Sequence, residues 1–585
     1  MTTAGRPCLR FDTGRRPVRL TLRLAVYPWC LALYAGFGWS QVTTPTTPSV
    51  LPTPAQLAPR PTAVSTDPRE LPARPAPPRE LAKPTDDLTL DVRRYELSDN
   101  APPELKSALA ALTAPYVGTQ RSYEDLVNAT AEVTRFLQRE SGYYLGYAYL
   151  PEQAAQDGVV RIEVLEGRLD QVKLVWTDGL PVRREIVQAY LDRLKPGDIL
   201  RVRELERVVF LVNDLRGLSS RFEVTAGSEP GTATLVVTPQ AERRRSSKAD
   251  VDINGSPYLG QLRLGGLTSV NSLAGMGDAL TGNLLVSQGL QFALLGANLP
   301  LNASGLKLGG SLSLVRYRLD ANQFPLGVNG DALTLSVYAL YPWLRSRNFN
   351  LFSLVSLDDK RYADRFDAAG SQTDKATRVL TLGLSGDSRD NLFGGAVSTF
   401  EANLATGQVR YPGGIPSGLD DSPNFSKVTL GLNRLQNLVE GRWLLYAALR
   451  LQVAMANLDT SEQFRLGGPD GVRAFAAGEG TGDSGVVLTL ELRMLPPESL
   501  VGRLAHESII SVFYDEGQVN FRHDPSKRPS SFVKSATFGG AGVAVSWERT
   551  GGYALRASLA TPVHGQAKSD KVRSARLYAQ LTKFF

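Results

Sequence analysis

One arginine and one aspartate in the last third of the chain have the residue types and the neighbours needed for a buried ionic contact. Arg473 lies in the polar segment 464–475, which is rich in turn-forming residues and stands between two β-like runs. Asp515 lies in the strand-like segment 513–517, beside a glycine. A guanidinium and a carboxylate can form two parallel hydrogen bonds, and glycine lets two backbones approach closely. The pair predicts a clamp between a loop and a strand. A surface turn and an unrelated solvated carboxylate are the alternative.

The composition argues against several other kinds of chemistry. The formal net charge of the 585 residues is +7, but residues 1–40 hold six arginines and one aspartate, so the remainder is almost neutral. A nearly neutral chain gives little support for nucleic-acid binding. Cys8 and Cys30 both fall in that N-terminal stretch, and only three histidines are present. We therefore expect no disulfide, no metal site, no cofactor and no enzymatic activity.

The first 85 residues predict export followed by a tether. Residues 1–40 combine a basic stretch, an apolar run and small residues before Gln41, which is typical of a secretory signal peptide. Residues 41–85 contain 12 of the 36 prolines and show no apolar periodicity. Such a composition favours an extended, proline-rich linker.

Two α+β modules follow, each with the order β-α-α-β-β. In the first, residues 86–167, we expect strands at 88–97, 143–150 and 159–165, and helices at 103–112 and 123–140, the second helix capped by Ser122. In the second, residues 168–240, we expect strands at 172–176, 222–225 and 234–238, and helices at 182–194 and 203–216. The repetition predicts a tandem pair of three-stranded sheets, each backed by two helices and each with an exposed edge.

From residue 245 to the end, the helical period gives way to short segments that alternate apolar and polar residues. Leu333, Leu335 and Val337, for example, alternate with polar residues, and turn residues separate such segments. This pattern is typical of a transmembrane β-barrel, and about 20 residues per strand with its connection gives roughly 16 strands. A soluble all-β repeat protein is the alternative. The export signal, the missing cysteines and the C-terminal Phe585 favour the barrel.

These parts together resemble the outer-membrane transporters of two-partner secretion, the haemolysin secretion and activation family. The modules resemble the POTRA domains of that family, and the resemblance covers about residues 85–585. The motifs that carry it are Glu152-Gln153, Val164-Leu165-Glu166-Gly167, Asp252-Ile253-Asn254-Gly255-Ser256, Gly275-Met276-Gly277-Asp278, Gly386-Asp387-Ser388-Arg389-Asp390, Val472-Arg473-Ala474-Phe475 and Phe513 to Gly517.

The resemblance implies that residues 464–485 form a loop folded into the barrel. Arg473 and Phe475 would lie at its tip, and Arg473 would reach Asp515 in the motif that also contains Phe513 and Gly517. At position 474 the chain has alanine where the family has glycine, and alanine is costly where φ must be positive. Family members also place an N-terminal helix in the pore, whereas residues 41–85 are too rich in proline for a helix.

The resemblance further implies a function. The chain would sit in the outer membrane of a Gram-negative bacterium, with its POTRA domains in the periplasm, and would export one large unfolded exoprotein that carries an N-terminal secretion domain. Further partners would be outer-membrane lipid and, during biogenesis, periplasmic chaperones and the barrel assembly machinery, which would read Phe585. The alternatives are an insertase for other barrels and, less favoured, a passive porin.

Binding of the client would use an exposed sheet edge, because an extended chain can add a strand there. We expect the strand 143–150 to provide this edge, with four tyrosines that contact the client's side chains: Tyr143, Tyr144, Tyr147 and Tyr149. Packing of these rings within the module's own sheet is the alternative interpretation.

Overall fold

The computed structural model describes residues 89–99, 101–153, 157–322, 327–416, 419–439, 441–549, 552–567 and 574–585. The predicted signal peptide, 1–40, and the predicted linker, 41–85, lie outside these residues. In the described part, no helix combines the length and the apolar character needed to cross a membrane.

The first module is a three-stranded sheet packed against two helices. Its elements are β1 (Thr89–Val92), β2 (Arg94–Leu97), α1 (Pro103–Thr113), β3 (Gly118–Ser122), α2 (Tyr123–Arg139), β4 (Tyr147–Tyr149) and β5 (Val159–Leu165). β5 is central, parallel to β2 and antiparallel to β4. The single strand predicted at 88–97 is divided, because β1 pairs with β3 instead of continuing in the main sheet. Ser122 accepts a hydrogen bond from the backbone N–H of Asp125 and caps α2, as the sequence predicts.

The second module repeats this arrangement. Its elements are β6 (Arg168–Leu174), α3 (Arg184–Leu191), α4 (Val202–Asn213), β7 (Leu218–Ala226) and β8 (Thr232–Ala241). β8 is central, parallel to β6 and antiparallel to β7. The apolar stripe of α4, with Leu205, Val209 and Val212 buried, packs on the sheet. Each module therefore has its own core.

The remainder forms a closed barrel of 16 strands in which every neighbouring pair is antiparallel. The elements are β9 (Arg245–Asp252), β10 (Arg263–Asn271), β11 (Ala279–Ser287), β12 (Leu290–Pro300), β13 (Lys307–Arg318), β14 (Val328–Arg345), β15 (Phe349–Phe366), β16 (Ser371–Asp390), β17 (Ala396–Arg410), β18 (Asn424–Val439), β19 (Trp443–Ala454), β20 (Phe464–Arg465), β21 (Thr481–Gly482), β22 (Ser484–Met494), α5 (Glu498–Val501), β23 (Ser508–Asn520), β24 (Ser535–Glu548), β25 (Tyr553–His564) and β26 (Arg576–Phe584). β20 and β21 form a separate hairpin that is not part of the barrel wall. β26 pairs with β9 and closes the wall. The strand number predicted from length is confirmed.

The side chains alternate along each strand between the outer surface and the lumen. Leu312, Leu335 and Leu382 are exposed on the outside, whereas Ser313 and Thr334 beside them are buried. Because successive residues of a strand point to opposite faces, the leucines form an apolar outer band and the polar side chains line the interior. The apolar positions of the alternating segments thus face the lipid, and the polar positions face the lumen.

The second module is fixed to one end of the barrel by a buried ion pair. Asp214, which ends α4, accepts two hydrogen bonds from Arg345, at the end of β14, at 2.7 and 2.9 Å. Both side chains are at least nine-tenths buried. Arg345 also donates to Asn350, which donates to Asp387 at 3.0 Å. Asp387 belongs to the motif 386–390, so one role of this motif is to orient the arginine that holds the second module.

Removing one member of this pair should loosen the second module without unfolding the barrel. In Asp214→Ala, Arg345 would keep its charge in a buried site without a counter-charge, which costs about 3–5 kcal/mol. We expect faster proteolytic cleavage in the connection 242–244, measured on the purified protein in detergent, while the barrel still resists unheated SDS.

Arg221→Ala is the matched control, because it removes an exposed pair with Glu223 on β7. Such surface pairs contribute at most about 1 kcal/mol. Equal cleavage rates for wild type, control and Asp214→Ala would show that the pair does not fix the module.

Candidate functional site

The loop between β19 and β22 turns inward and contacts the lumen side of the wall. Its two arms pair as the short hairpin β20–β21, and the N–H groups of Leu466 and Gly467 donate to the carbonyls of Gly480 and Glu479. Gly480 has a φ of +63°, and a Cβ there would lie 2.8 Å from the ring of Phe538 on β24. Glycine is therefore required where this arm turns against the wall.

Arg473 and Asp515 meet inside the barrel. The side-chain Nε and Nη2 of Arg473 donate to the two carboxylate oxygens of Asp515, each at 2.8 Å. The backbone N–H of Arg473 also donates to Asp515, at 3.1 Å. The arginine is 8 % exposed and the aspartate 0 %. Because both charges are removed from water, each depends on the other for compensation.

The wall supplies further partners, of which the sequence analysis identified Phe513 but not Glu491 or Thr489. Glu491 on β22 accepts from Nη1 of Arg473 at 2.6 Å, and Thr489 donates to Asp515 at 2.9 Å. The ring of Phe513 lies 3.3 Å from the guanidinium carbon, which makes a close cation–π contact. These residues are spaced two apart on neighbouring strands, so they share the lumen face. Phe513 was predicted from the motif that it shares with Asp515, whereas strand register was needed to find Glu491.

The loop tip is also held by apolar and backbone contacts. The ring of Phe475 stacks on that of Phe538, with centroids 4.1 Å apart and planes 12° from parallel. The hydroxyl of Tyr578 on β26 donates to the carbonyl of Phe475 at 2.7 Å. The tip therefore touches β22, β23, β24 and β26, and the clamp is one contact in a packed surface.

Glycines on the wall make room for the tip. A Cβ at Gly517 would lie 2.4 Å from Leu466, and a Cβ at Gly540 would lie 2.6 Å from the methyl group of Ala474. Ala474 is not among the described non-glycine residues with positive φ. The alanine is thus accommodated without backbone strain, and its methyl group occupies the space that Gly540 leaves.

A second anchor holds the start of the loop against other strands of the wall, β15, β16 and β18. Lys375 on β16 donates to Asp459 at 2.9 and 3.0 Å, and Lys360 on β15 donates to Glu462 at 2.7 Å. Lys427 on β18 lies 3.0 Å from the same glutamate. Burial opposes ionisation of Glu462, but the two lysines outweigh it and lower its pKa to about 2. The carboxylate therefore stays ionised at neutral pH.

The four tyrosines predicted to bind a client are divided by the structure. Tyr143 and Tyr144 are 4 % and 2 % exposed and lie at the junction of the two modules, where the N–H of Tyr144 donates to the carbonyl of Leu200. Arg201 lies over the ring of Tyr143. The prediction that these two residues are on an exposed strand is therefore wrong, because Tyr143 packs in the core of the first module and Tyr144 in the core of the second.

Tyr147 and Tyr149 do lie on β4, with parallel rings whose centroids are 6.5 Å apart. They point away from the helices, because Ala148 between them is buried in the module core. The side chain of Thr134 on α2 accepts a hydrogen bond from the N–H of Ala148, and Gln138 donates to the carbonyl of Gly146. The helix thus covers part of the backbone edge of β4, which opposes strand addition there.

The remaining predicted site residue, Phe585, is 64 % exposed beside the closing strands, and its N–H donates to the carbonyl of Ser247 on β9.

Among the residues that the structure describes, no group of histidine, cysteine, aspartate and glutamate is arranged to hold a metal ion.

Comparisons with known proteins agree with this architecture. Residues 90–167 match the family model "POTRA domain, ShlB-type", and residues 231–545 match "Haemolysin secretion/activation protein ShlB/FhaC/HecB". The heme/hemopexin transporter protein HuxB of Haemophilus influenzae strain 86-028NP is 26 % identical over 78 % of this chain and 80 % of its own length.

Two solved structures share the fold. CdiB from Escherichia coli superposes with a TM-score of 0.66 at 20 % identity, covering 88 % of this chain and 94 % of that one. BamA from Haemophilus ducreyi, lacking POTRA domains 1–3, gives a TM-score of 0.52 at 15 % identity, covering 85 % and 100 %. The chain belongs to the haemolysin secretion/activation family ShlB/FhaC/HecB, outer-membrane transporters that secrete a partner exoprotein and keep their POTRA domain in the periplasm.

Proposed function

We propose that this chain exports one dedicated exoprotein in an unfolded state, and that the Arg473–Asp515 clamp holds the inward loop in the lumen between transport events. The observation that carries the proposal is the placement of a buried arginine from the loop on a buried aspartate of the wall. A polypeptide passing through the lumen would need the space that the loop occupies. Opening then requires both the clamp and the lysine anchor to break or to move with the wall.

The free energy of the clamp contacts is compatible with a contact that forms and breaks reversibly. A hydrogen bond to a charged group contributes about 1.5–3 kcal/mol, and Arg473 makes several. Stacking of Phe475 on Phe538 adds about 0.5–1.5 kcal/mol. Energies of this size bias an equilibrium between two loop positions without making it irreversible. Folding of the client outside the cell would supply the driving force.

For the client, we propose a contact surface on the open face of the first module. Tyr147 and Tyr149 present parallel rings there, and the register places Leu165 and Glu163 of β5 beside them. Rigid aromatic rings bury much area with little loss of side-chain entropy, which suits recognition of an extended chain. The second module, which has the same order of elements, would act as a second POTRA domain and pass the client to the barrel.

The export function is tested by comparing a deletion strain with a complemented strain. We expect one large exoprotein to disappear from the cell surface and the medium of the deletion strain, measured by mass spectrometry of both fractions. The levels of other outer-membrane barrels should remain unchanged. A common decrease of many barrels, with every secreted protein still present, would instead favour an insertase.

The clamp is tested with Arg473→Ala. Loss of the charge-assisted bonds should increase the frequency of open-channel events in planar bilayers by roughly tenfold or more, because one such bond already corresponds to about 1.5–3 kcal/mol. Secretion of the exoprotein should fall, since the loop no longer returns to one position.

Arg493→Ala is the matched control, because Arg493 also bonds to Glu491 on the lumen wall but belongs to β22 and does not hold the loop. It should leave conductance close to that of the wild type. If Arg473→Ala also left conductance and secretion unchanged, the clamp would have no part in gating.

The client surface is tested with the double variant Tyr147→Ala/Tyr149→Ala. Loss of two aromatic contacts should weaken binding of the client's N-terminal secretion domain by roughly tenfold or more, measured by titration against the full-length transporter in detergent. Tyr147→Phe/Tyr149→Phe retains the rings and should bind nearly as tightly as wild type. Equal affinity of the alanine variant and wild type would place client recognition elsewhere.

A further inference from the structure

A belt of arginines lies on the outer surface of the barrel, outside both the lumen and the periplasmic modules. Arg316 on β13 and Arg365 on β15 donate to Asp331 on β14, at 2.9 and 3.1 Å. Arg361 on β15 and Arg378 on β16 donate to Asp359, both at 3.0 Å. These four arginines and two aspartates are called the arginine belt below.

The register fixes the direction in which the belt points. Arg316 pairs with Asp331 two residues beyond the pair Leu314 and Leu333, so these four residues share one face. Both leucines are exposed on the outside of the barrel. Likewise, Asp359 pairs with Arg378 two residues beyond the pair Leu357 and Leu380. These two leucines are also exposed. The belt therefore points toward the surroundings of the barrel, directly beyond the apolar band.

The belt lies at the cell-surface end. The opposite end of β13 begins at Lys307, whose side chain donates to the carbonyl of Asp214 in the second module. That module lies in the periplasm, so β13 runs from the periplasm toward the surface and reaches Arg316 near its end. Two residues of a strand span roughly 7 Å. The arginines are thus at the depth where the head groups of the outer leaflet meet its hydrocarbon.

The aspartates position the guanidinium groups without neutralising the belt. Three of the four arginines donate to the aspartate through Nε. These bonds do not use the two terminal nitrogens of the guanidinium group, Nη1 and Nη2. The arginine side chains of these three are 68–74 % exposed. On the same face lie two further exposed arginines, Arg318 and Arg410, and two further exposed aspartates, Asp374 and Asp367. Cations therefore exceed anions by two.

We propose that the arginine belt binds the phosphate groups of the phosphorylated glycolipid in the outer leaflet of the outer membrane. A planar guanidinium can bind a phosphate through two hydrogen bonds. Exposed leucines immediately below would contact the acyl chains of the same lipid. The belt spans four adjacent strands, β13 to β16, and the rigid wall holds its groups in a row. A lipid with two phosphates fits such a row better than a lipid with one.

The test uses purified full-length protein in detergent with lipid A as the probe. Binding is measured by native mass spectrometry for wild type and for the variant Arg316→Gln/Arg361→Gln/Arg378→Gln. We expect wild type to bind lipid A and the variant to bind it at least roughly tenfold more weakly, because each basic residue near an anionic lipid surface contributes appreciably. Dephosphorylated lipid A and phosphatidylglycerol should bind wild type at least tenfold more weakly than lipid A does.

The matched control is Arg94→Gln/Arg161→Gln/Arg221→Gln, which removes three exposed arginines that also pair with a carboxylate, but in the periplasmic modules. Its lipid A binding should equal that of wild type. Equal binding by the belt variant, or equal binding of dephosphorylated lipid A, would overturn the proposal. The proposal would also be overturned if an acidic peptide bound to the belt in place of lipid A. The comparison of lipids on wild type remains decisive even if the belt variant does not fold.

Discussion

A charge inside the barrel must be neutralised there, and this constraint organises the lumen. A barrel of 16 strands encloses a polar space that side chains of the wall alone do not fill. The inward loop occupies part of this space and brings charged side chains with it, among them Arg473, Asp459 and Glu462. Each of these three meets an opposite charge on the wall, namely Asp515 for Arg473, Lys375 for Asp459 and Lys360 for Glu462. The wall strands thereby determine where the loop can rest.

Small residues on the wall complement these charges. Gly517 and Gly540 stand where the loop packs most closely, and the methyl group of Ala474 fills the space above Gly540. Alanine at 474 and glycine at 540 therefore constrain each other, because a side chain at both positions would overlap. The departure from the family motif is tolerated for a steric reason and not because the backbone is unusual, since Ala474 does not have positive φ.

The sequence predicted those parts of the molecule that depend on local pattern. Apolar period, helix caps and segment length were enough for the main helices and strands of both modules and for the 16 strands, but not for the short pair of β1 and β3. From the residues alone the clamp was one of two alternatives, and the resemblance of the motifs around Arg473 and Asp515 to those of the family favoured it. Glu491 and the lysine anchor were not predictable, because a period of two shows that a residue faces the lumen but not which residue lies across it. Tyr144 was misplaced for a related reason, since it is buried in the core of the neighbouring module, whereas Tyr143 packs within its own module.

The period of two also connects the two faces of the wall. Lys360 and Arg361 are adjacent in β15, so one anchors the loop from inside while the other belongs to the arginine belt outside. On β16, Lys375 and Arg378 divide in the same way. A strand moves as a unit because its backbone is bonded on both sides. A lipid held by the belt and the loop held by the lysines would therefore act on the same two strands, and the stability of the closed lumen would depend on the lipid outside as well as on the clamp within.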